Sequence, residues 1–404
     1  MAHDSDILIV GGGLTGPALA LALAQAGRTV TVIDTLPQTV RKDAGFDGRS
    51  YALALASVRL LSAIGIWKDV SKHAQPLLEI KVTDGRAGEG AAPFFLHFDH
   101  AEIEEGPMGH MLEDRYLRRA FLDAMKASDK ITQVTDTVTV QDVEQGRVTV
   151  SLASGPSLCG RLLIGSDGRR SGTAARAGIT RTEWAYDQTA LVAAIEHERP
   201  HNGIAHQFFM PPGPLAILPL PGNVSSIVWS ENAETAAQFD RLDDEDFLQV
   251  LRPRFGDFLG DIKLRGKRYT YPLGLTIANA LVADRVALIG DAAHGLHPIA
   301  GQGLNAGLRD VGALAQVITD AAHRGEDFAA SDVLTRYQQW RRFDTATLAI
   351  TTDLTNRLFS NDNPLLRGVR DIGMGAINAL PGLRRGFIRE AAGLTGDLPD
   401  LMKG

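Results

Sequence analysis

The chain has 404 residues and a single cysteine, Cys159, which excludes a disulfide framework and any thiolate metal centre. Cys159 sits in a strand-like stretch and reads as a small core hydrophobe. No run of about 18 apolar residues occurs, so no segment reads as a membrane-spanning helix. Positive charge is in the minority: 41 Lys and Arg against 48 Asp and Glu give a net charge of −7. That balance argues against a general nucleic-acid binder, which needs clustered cations for phosphate contacts. The acidic "MAHDSD" passes straight into a strand, which is not how a secretory leader begins, so the expectation is a cytoplasmic protein. No metal-ligand cluster, internal repeat or low-complexity tract is found. The remainder, 44% apolar and 22% charged, is that of a soluble globular enzyme, long enough for two domains.

The first organised stretch is "DILIVGGGLTGPALALALAQAGRTVTVIDT". Ile7 to Val10 form a continuous apolar run, as a parallel strand covered on both faces requires. A helix is predicted from about Pro17 to Ala26, capped by Gly27, before β-branched character resumes at Thr29 to Ile33. Gly11, Gly13 and Gly16 fit G-x-G-x-x-G: one glycine for the tight turn, one for close approach of a pyrophosphate, one for helix–strand packing. Asp34 ends the next strand, where an acid accepts from an adenosine ribose hydroxyl. An ADP-containing cofactor is expected here, and the turn alone leaves NAD and FAD open.

Downstream, residues 35 to 75 read as loop and helix, and "EDRYLRRAFLDAMKA" as a helix with Leu117, Phe121 and Met125 on one side. "ITQVTDTVTVQDVE" and "RVTVSLA" resemble a hairpin turning at Gln145-Gly146. Four further strands, "TALVAAIEH", "IAHQFFM", "PLAILPLP" and "VSSIVWS", predict a mostly antiparallel insertion. "RLDDEDFLQVLRPRF" is predicted as a helix that starts on acids and stops near Pro253. Then "RVALIGDAAHGLHPIAGQGLNAGLRD" supplies a second strand, glycine turn and helix, ending its strand in Gly290-Asp291. Such a turn suits the far end of an extended cofactor. Asp291 would reach ribityl or phosphate-side hydroxyls, and the amides of Gly303, Leu304 and Asn305 would meet the pyrimidine edge of a flavin, where a helix N-terminus stabilises negative charge. Glycines at "GRAGEG" (85–90) and "GMGAIN" lack a flanking strand and helix, so no second nicotinamide fold is expected.

Three blocks together resemble the class A flavoprotein monooxygenases: the glycine fingerprint with its acid, "LLIGSDGRRS", and "ALIGDAAHGLHPIAGQGLNAGLRD". "DGRSYALALAS", "GPLAILPLPGNVSSIVWS" and "HPIAGQGLNAGLRD" are similar to the ubiquinone-biosynthesis hydroxylases within that class. The resemblance implies an α/β fold: an FAD-binding Rossmann-like domain, p-hydroxybenzoate-hydroxylase-like, interrupted by a mostly antiparallel β-sheet substrate domain and followed by a helical C-terminal segment. The boundaries are 1–75, 105–180 and 276–330 for the FAD domain, 76–104 and 181–275 for the substrate domain, and 331–404 for the last segment.

By the same resemblance Arg49 lies beside the isoalloxazine ring, and Pro298 shapes the turn at the ring face where oxygen reacts. Asp167 and Gly168 match the middle motif near the pyrophosphate and the passing nicotinamide, and Gly290 and Gly301 belong to the second turn. Asp114 and Arg118 are candidates near the flavin phosphates. One departure stands out: the family pattern D-G-x-x-S-x-x-R meets Ala174, with Arg176 two residues later. His294 and His297 flank the second turn and read as structural.

The implied activity is FAD-dependent hydroxylation of the ring of a polyprenylated phenol in ubiquinone biosynthesis. NAD(P)H is the transient hydride donor, O₂ the oxidant, and a flavin C4a-hydroperoxide the hydroxylating species. Alternatives are a same-fold hydroxylase of a small soluble aromatic, a flavin-dependent isoprenoid reductase, and a non-catalytic flavin-holding subunit of an assembly. Residues 365–389 carry five arginines and one acid on an amphipathic pattern, including Leu366, Val369, Ile372, Ile377 and Leu380. They suit either contact with the inner face of a membrane or docking on the protein itself. A ubiquinone-biosynthesis complex is a further candidate partner.

Overall fold

The computed structural model describes residues 3–404 except 43, 44, 46, 47, 87, 89, 145, 296–301, 343 and 345–378. Its organising element is a six-stranded sheet in the order Val282–Ala283, Val286–Leu288, Leu162–Gly165, Ile7–Val10, Val30–Asp34 and Ile131–Thr135. All pairs are parallel except the first. The central strands are buried along their whole apolar runs because helices cover one face and a three-stranded antiparallel sheet packs on the other. Helix Thr15–Gln25 is the first of those helices and packs on the long helix Gln302–His323. It starts two residues before the sequence-based estimate, and Gly27 ends it at a φ of +83°.

A second sheet of eight strands contains Arg181–His197, Ile204–Met210, Gly213–Leu220, Val224–Asn232 and Ile262–Ala278, joined at one edge by Glu79–Arg86 and Gly90–Asp99. Every pair is antiparallel apart from Ile204–Met210 with Glu79–Arg86. One face packs on helices Ala233–Asp240 and Asp244–Phe255, where Trp229 meets Phe239 and Phe247. The architecture is the α/β arrangement expected of the class A flavoprotein monooxygenases.

Several local expectations are corrected. Residues 35–75 include the strands Ser50–Ala54 and Gln75–Leu77, which pair on either side of Gly109–Glu113. Neither stretch is long enough to show alternation. The hairpin begins only at Val138–Glu144, paired with Arg147–Leu152; Ile131–Thr135 instead extends the parallel sheet beside Val30–Asp34. "GRAGEG" does have flanking strands, although no helix follows it. Helix Asp244–Phe255 does stop close to Pro253, as expected, with fully buried Phe255 holding its last turn down. Of the basic C-terminal segment, only residues 379–389 fall within the described part, and a helix runs over Pro381–Ala391. No helix among the described residues is long and apolar enough to cross a membrane.

One half-buried histidine makes the eight-stranded sheet acid-sensitive. The His206 ring packs 4.4 Å from that of Phe258, and burial, aided by Lys81 and opposed by Glu79, holds its imidazole down at about 4. The unfolded chain therefore binds a proton near pH 6.5 that the folded chain refuses until about pH 4. Stability falls as pH drops through that window. His206→Phe is expected to remove about 2 kcal/mol of the loss between pH 7.5 and 5, read by urea unfolding at both values. An unchanged pH slope would refute the assignment.

Candidate active site

A cavity of about 1420 Å³ runs between the two sheets, from the first glycine turn to the apolar face of the eight-stranded sheet. It exceeds the usual volume of a small-ligand pocket, about 300–1,000 Å³. At its first end Gly11 adopts a φ of +109°, and a Cβ there would lie 2.2 Å from the carbonyl oxygen of Ser166. Gly16 makes a similar close approach to Gly11 and packs the helix on the strand; it does not line the cavity. Gly13 differs from both, since it lines the cavity and its Cβ position is open space. Asp34 lines the same end, with its carboxylate accepting from the amides of Gly12 (2.5 Å) and Leu36 (2.7 Å). Buried Arg41 donates to the carbonyl of Gly12 at 3.1 Å and braces the turn; the short helix that carries it, Gln38–Arg41, gave no sequence signal.

The middle of the cavity is built by Asp167, Gly168, Arg176, Gly290 and Asp291. Asp167 accepts from the Ser171 hydroxyl (2.5 Å) and from the amide and hydroxyl of Thr173 (both 2.9 Å), so its carboxylate starts helix Gly172–Arg176. Ala174 is fully buried in the core, where an arginine would not fit, while Arg176 lines the cavity. Burial lowers the Arg176 guanidinium below its ordinary value, with nearby Asp167 opposing, and its buried Nε has no hydrogen-bond partner among the described residues. A buried guanidinium N–H without an acceptor, facing an open glycine cradle, fits an anionic diphosphate. Asp291 is half exposed and faces Arg169 at 3.6 Å.

At the third corner helix Gln302–His323 begins, and Gly303, Leu304 and Asn305 line the cavity. The Asn305 side chain has a role the sequence did not disclose. Its Oδ1 accepts from the Ala54 amide (2.9 Å) and the Ser57 hydroxyl (2.8 Å), and its Nδ2 donates to the Ala52 carbonyl (2.8 Å). That clamp fixes the helix start against strand Ser50–Ala54, which directly follows Arg49. Arg49 lines the cavity and faces buried Asp114 at 3.4 Å; Asp114 also accepts from the Tyr51 hydroxyl at 3.0 Å. Arg118 pairs with Asp114 one turn along its helix and does not line the cavity, so the structure gives it a bracing position behind Arg49. Pro298, Gly301 and His297 lie outside the described residues. His294 is fully buried on Asp310, as a structural histidine would be.

The turn, the acid at the next strand end, the open cradle and the second helix start suit a flavin dinucleotide. The FAD binding domain family matches residues 4–350 of the chain. The ubiquinone hydroxylase UbiL of Rhodospirillum rubrum is 43% identical over 406 residues, covering 99% of this chain and 93% of that protein. The chain is an FAD-dependent monooxygenase of the ubiquinone-biosynthesis hydroxylase family. Escherichia coli 3-demethoxyubiquinol 3-hydroxylase is 33% identical over 395 residues, with 97% and 99% covered. The human mitochondrial ubiquinone biosynthesis monooxygenase COQ6 is 30% identical over 430 residues, with 94% and 90% covered. In fold, the chain is similar to p-nitrophenol 4-monooxygenase PnpA from Pseudomonas putida DLL-E4, with a TM-score of 0.79 at 20% identity over 98% of this chain and 99% of that one.

Proposed function

We propose that this FAD-dependent monooxygenase hydroxylates the aromatic ring of a polyprenylated phenol in ubiquinone biosynthesis, with NAD(P)H as transient hydride donor and O₂ as oxidant. The carrying observation is the continuity of the cavity, which joins a dinucleotide cradle to an apolar sheet wall without a break. Residues 1–75, 105–180 and 276–330 would then form the FAD domain, 76–104 and 181–275 the substrate domain, and 331–404 the helical C-terminal segment. Bound FAD supplies the redox and oxygen chemistry. The chain's own residues hold and orient the two partners. Asp34 would accept from the ribose, Gly11, Gly13, Gly168 and Arg176 would hold the diphosphate, and Asp291 the ribityl side. The amides of Gly303, Leu304 and Asn305 and the Arg49 guanidinium would face the ring, where a helix start and a cation favour its electron-rich form. The apolar wall would exclude water and align the phenol, whose own hydroxyl activates its ring.

A lipid substrate is supported by helix Pro381–Ala391. Phe387 lines the cavity, stacks on Phe98 with ring centroids 6.3 Å apart, and remains 45% exposed beside exposed Leu380 and Leu383. Arg384 and Arg389 tie the helix to Glu102 and Glu105, leaving a mixed apolar and basic outer face. Such a face suits contact with an anionic bilayer at the point where a prenyl tail would enter.

The test is hydroxylation by the purified FAD enzyme with NADPH or NADH under ¹⁸O₂, using a prenylated phenol in anionic vesicles. Mass spectrometry is expected to show one labelled oxygen on the ring, and turnover is expected to fall several-fold in neutral vesicles. Turnover of soluble phenolic acids but not of the prenylated phenol would replace the substrate class; equal rates in both vesicles would remove the membrane contact. In cells, loss of the gene should lower ubiquinone and accumulate a prenylated phenol short of ring oxygen.

A further inference from the structure

Among the described residues, the cavity wall made by the eight-stranded sheet is apolar apart from His206, whose ring packs on Phe258, and Gln207. Strand register places Leu96, Val82, Gln207, Ala216 and Val228 in a single cross-strand row, and all five line the cavity. Side chains alternate along strand Ile204–Met210: Ala205, Gln207 and Phe209 share the cavity face, and Phe208 turns to Phe258; His206 also borders the cavity, but its ring packs on Phe258 at 4.4 Å. Gln207 thus sets one amide in the middle of an apolar row. Its side chain is half-buried and has no hydrogen-bond partner among the described residues. Small Ala216 on one side leaves room above it.

An amide so placed contributes nothing to folding, and water on it must be displaced when a substrate ring fills the cavity. Losing that water without replacement is unfavourable, so the site favours a ring bearing a group that re-pairs the amide. Glutamine both donates and accepts, which matches a phenol: Oε1 accepts from the O–H and Nε2 donates to the oxygen as negative charge builds. It holds no exchangeable charge and cannot take the proton away.

We propose that Gln207 is the group that recognises the ring hydroxyl of the substrate, setting the orientation of the ring and selecting phenols over their ethers. This rests on the phenol reading above. The flanking Val82, Leu96 and Val228 give the ring its apolar bed, and Gln207 fixes its rotation within it. Loss of the amide releases that rotation, so reduced enzyme would spend NAD(P)H without forming product.

The experiment uses purified FAD enzyme and Gln207→Met, which keeps the side chain's length and removes its hydrogen bonding. A short-chain prenylated phenol and its O-methyl ether are titrated against the flavin absorbance. Wild type is expected to prefer the phenol about tenfold, equivalent to ~1.4 kcal/mol, and the variant to bind both within about twofold, with the ether's affinity unchanged. The fraction of NAD(P)H appearing as hydrogen peroxide should rise in the variant. A wild-type preference that survives in Gln207→Met, with flavin content equal, overturns the assignment while leaving the phenol reading intact. If neither compound perturbs the flavin of wild type, the substrate class fails, and the role of Gln207 fails with it.

Discussion

Gly13→Val is expected to give a folded protein that purifies without flavin colour. A Cβ at Gly13 would meet nothing within 4 Å in the protein, and the cavity it faces leaves room for the branch beyond it. The same open space is part of the cavity, at the glycine turn where a diphosphate would approach the backbone. A valine fills it. The expected loss in FAD affinity is on the order of 100-fold, about 2.8 kcal/mol, measured by reconstituting apoprotein and following flavin fluorescence. The unfolding midpoint of the apo form should match that of wild-type apoprotein. Gly11 supplies the contrast: a Cβ there would lie 2.2 Å from the Ser166 carbonyl in a backbone conformation that side chains rarely adopt, so Gly11→Val should lose fold and flavin together. Stoichiometric FAD on Gly13→Val would show that the cradle faces something other than the diphosphate.

The glycine turn was legible because its chemistry is local. Three glycines and an acid at set spacings specify a strand, a turn and a helix start, and the cavity brings Gly11, Gly13 and Asp34 together with Gly303, Leu304 and Asn305 from the far end of the chain. The strand Ser50–Ala54 was not legible, since "SYALA" carries no alternation of five residues' worth and its pairing partner lies some sixty positions away. Gln207 was invisible for a different reason. "IAHQFFM" reads as a strand, yet two adjacent polar residues leave the parity of its faces undecided, and only the register sets Gln207 in the cavity row while the His206 ring packs on Phe258. Arg176 shows how spacing misleads. The family pattern puts an arginine at 174, the helix buries that position, and the guanidinium reaches the cavity from two residues later. Arg118 went the other way, because helix spacing shows which residues are neighbours and not which one faces the cavity: Asp114 holds it behind Arg49.

The same principle governs the largest effect expected on stability, at Asp310→Asn. Asp310 is fully buried at the end of the second motif, and its meaning depends on residues 16 positions before it and 31 after. Its Oδ2 accepts from His294 Nε2 (2.6 Å) and the Gly290 amide (3.0 Å), and its Oδ1 accepts from Arg341 Nε (2.8 Å). Burial pushes the carboxyl up, but His294 and Arg341 outweigh it and hold it below the usual carboxylate range. An asparagine cannot replace it in either orientation. With its NH₂ toward Arg341 it meets an obligate donor, and with its NH₂ toward Gly290 it meets another. Among the described residues, the Arg341 side chain, 2% exposed, would keep Asp344 as its anionic partner. Breaking a buried pair from one side typically costs about 3–5 kcal/mol, and that loss is expected here by urea unfolding at pH 7. The sign of the pH dependence follows from the depressed pKa. The contribution of Asp310 is complete above its unfolded value of about 4 and is lost as pH falls through the lower folded value, so the gap between wild type and variant should be level from pH 8 to 5 and narrow below about 4. Because the Gly290 amide is one of the three donors, FAD affinity should fall along with stability. A variant as stable as wild type, or one that narrows the gap above pH 5, would show that the buried charge is balanced by something other than His294 and Arg341.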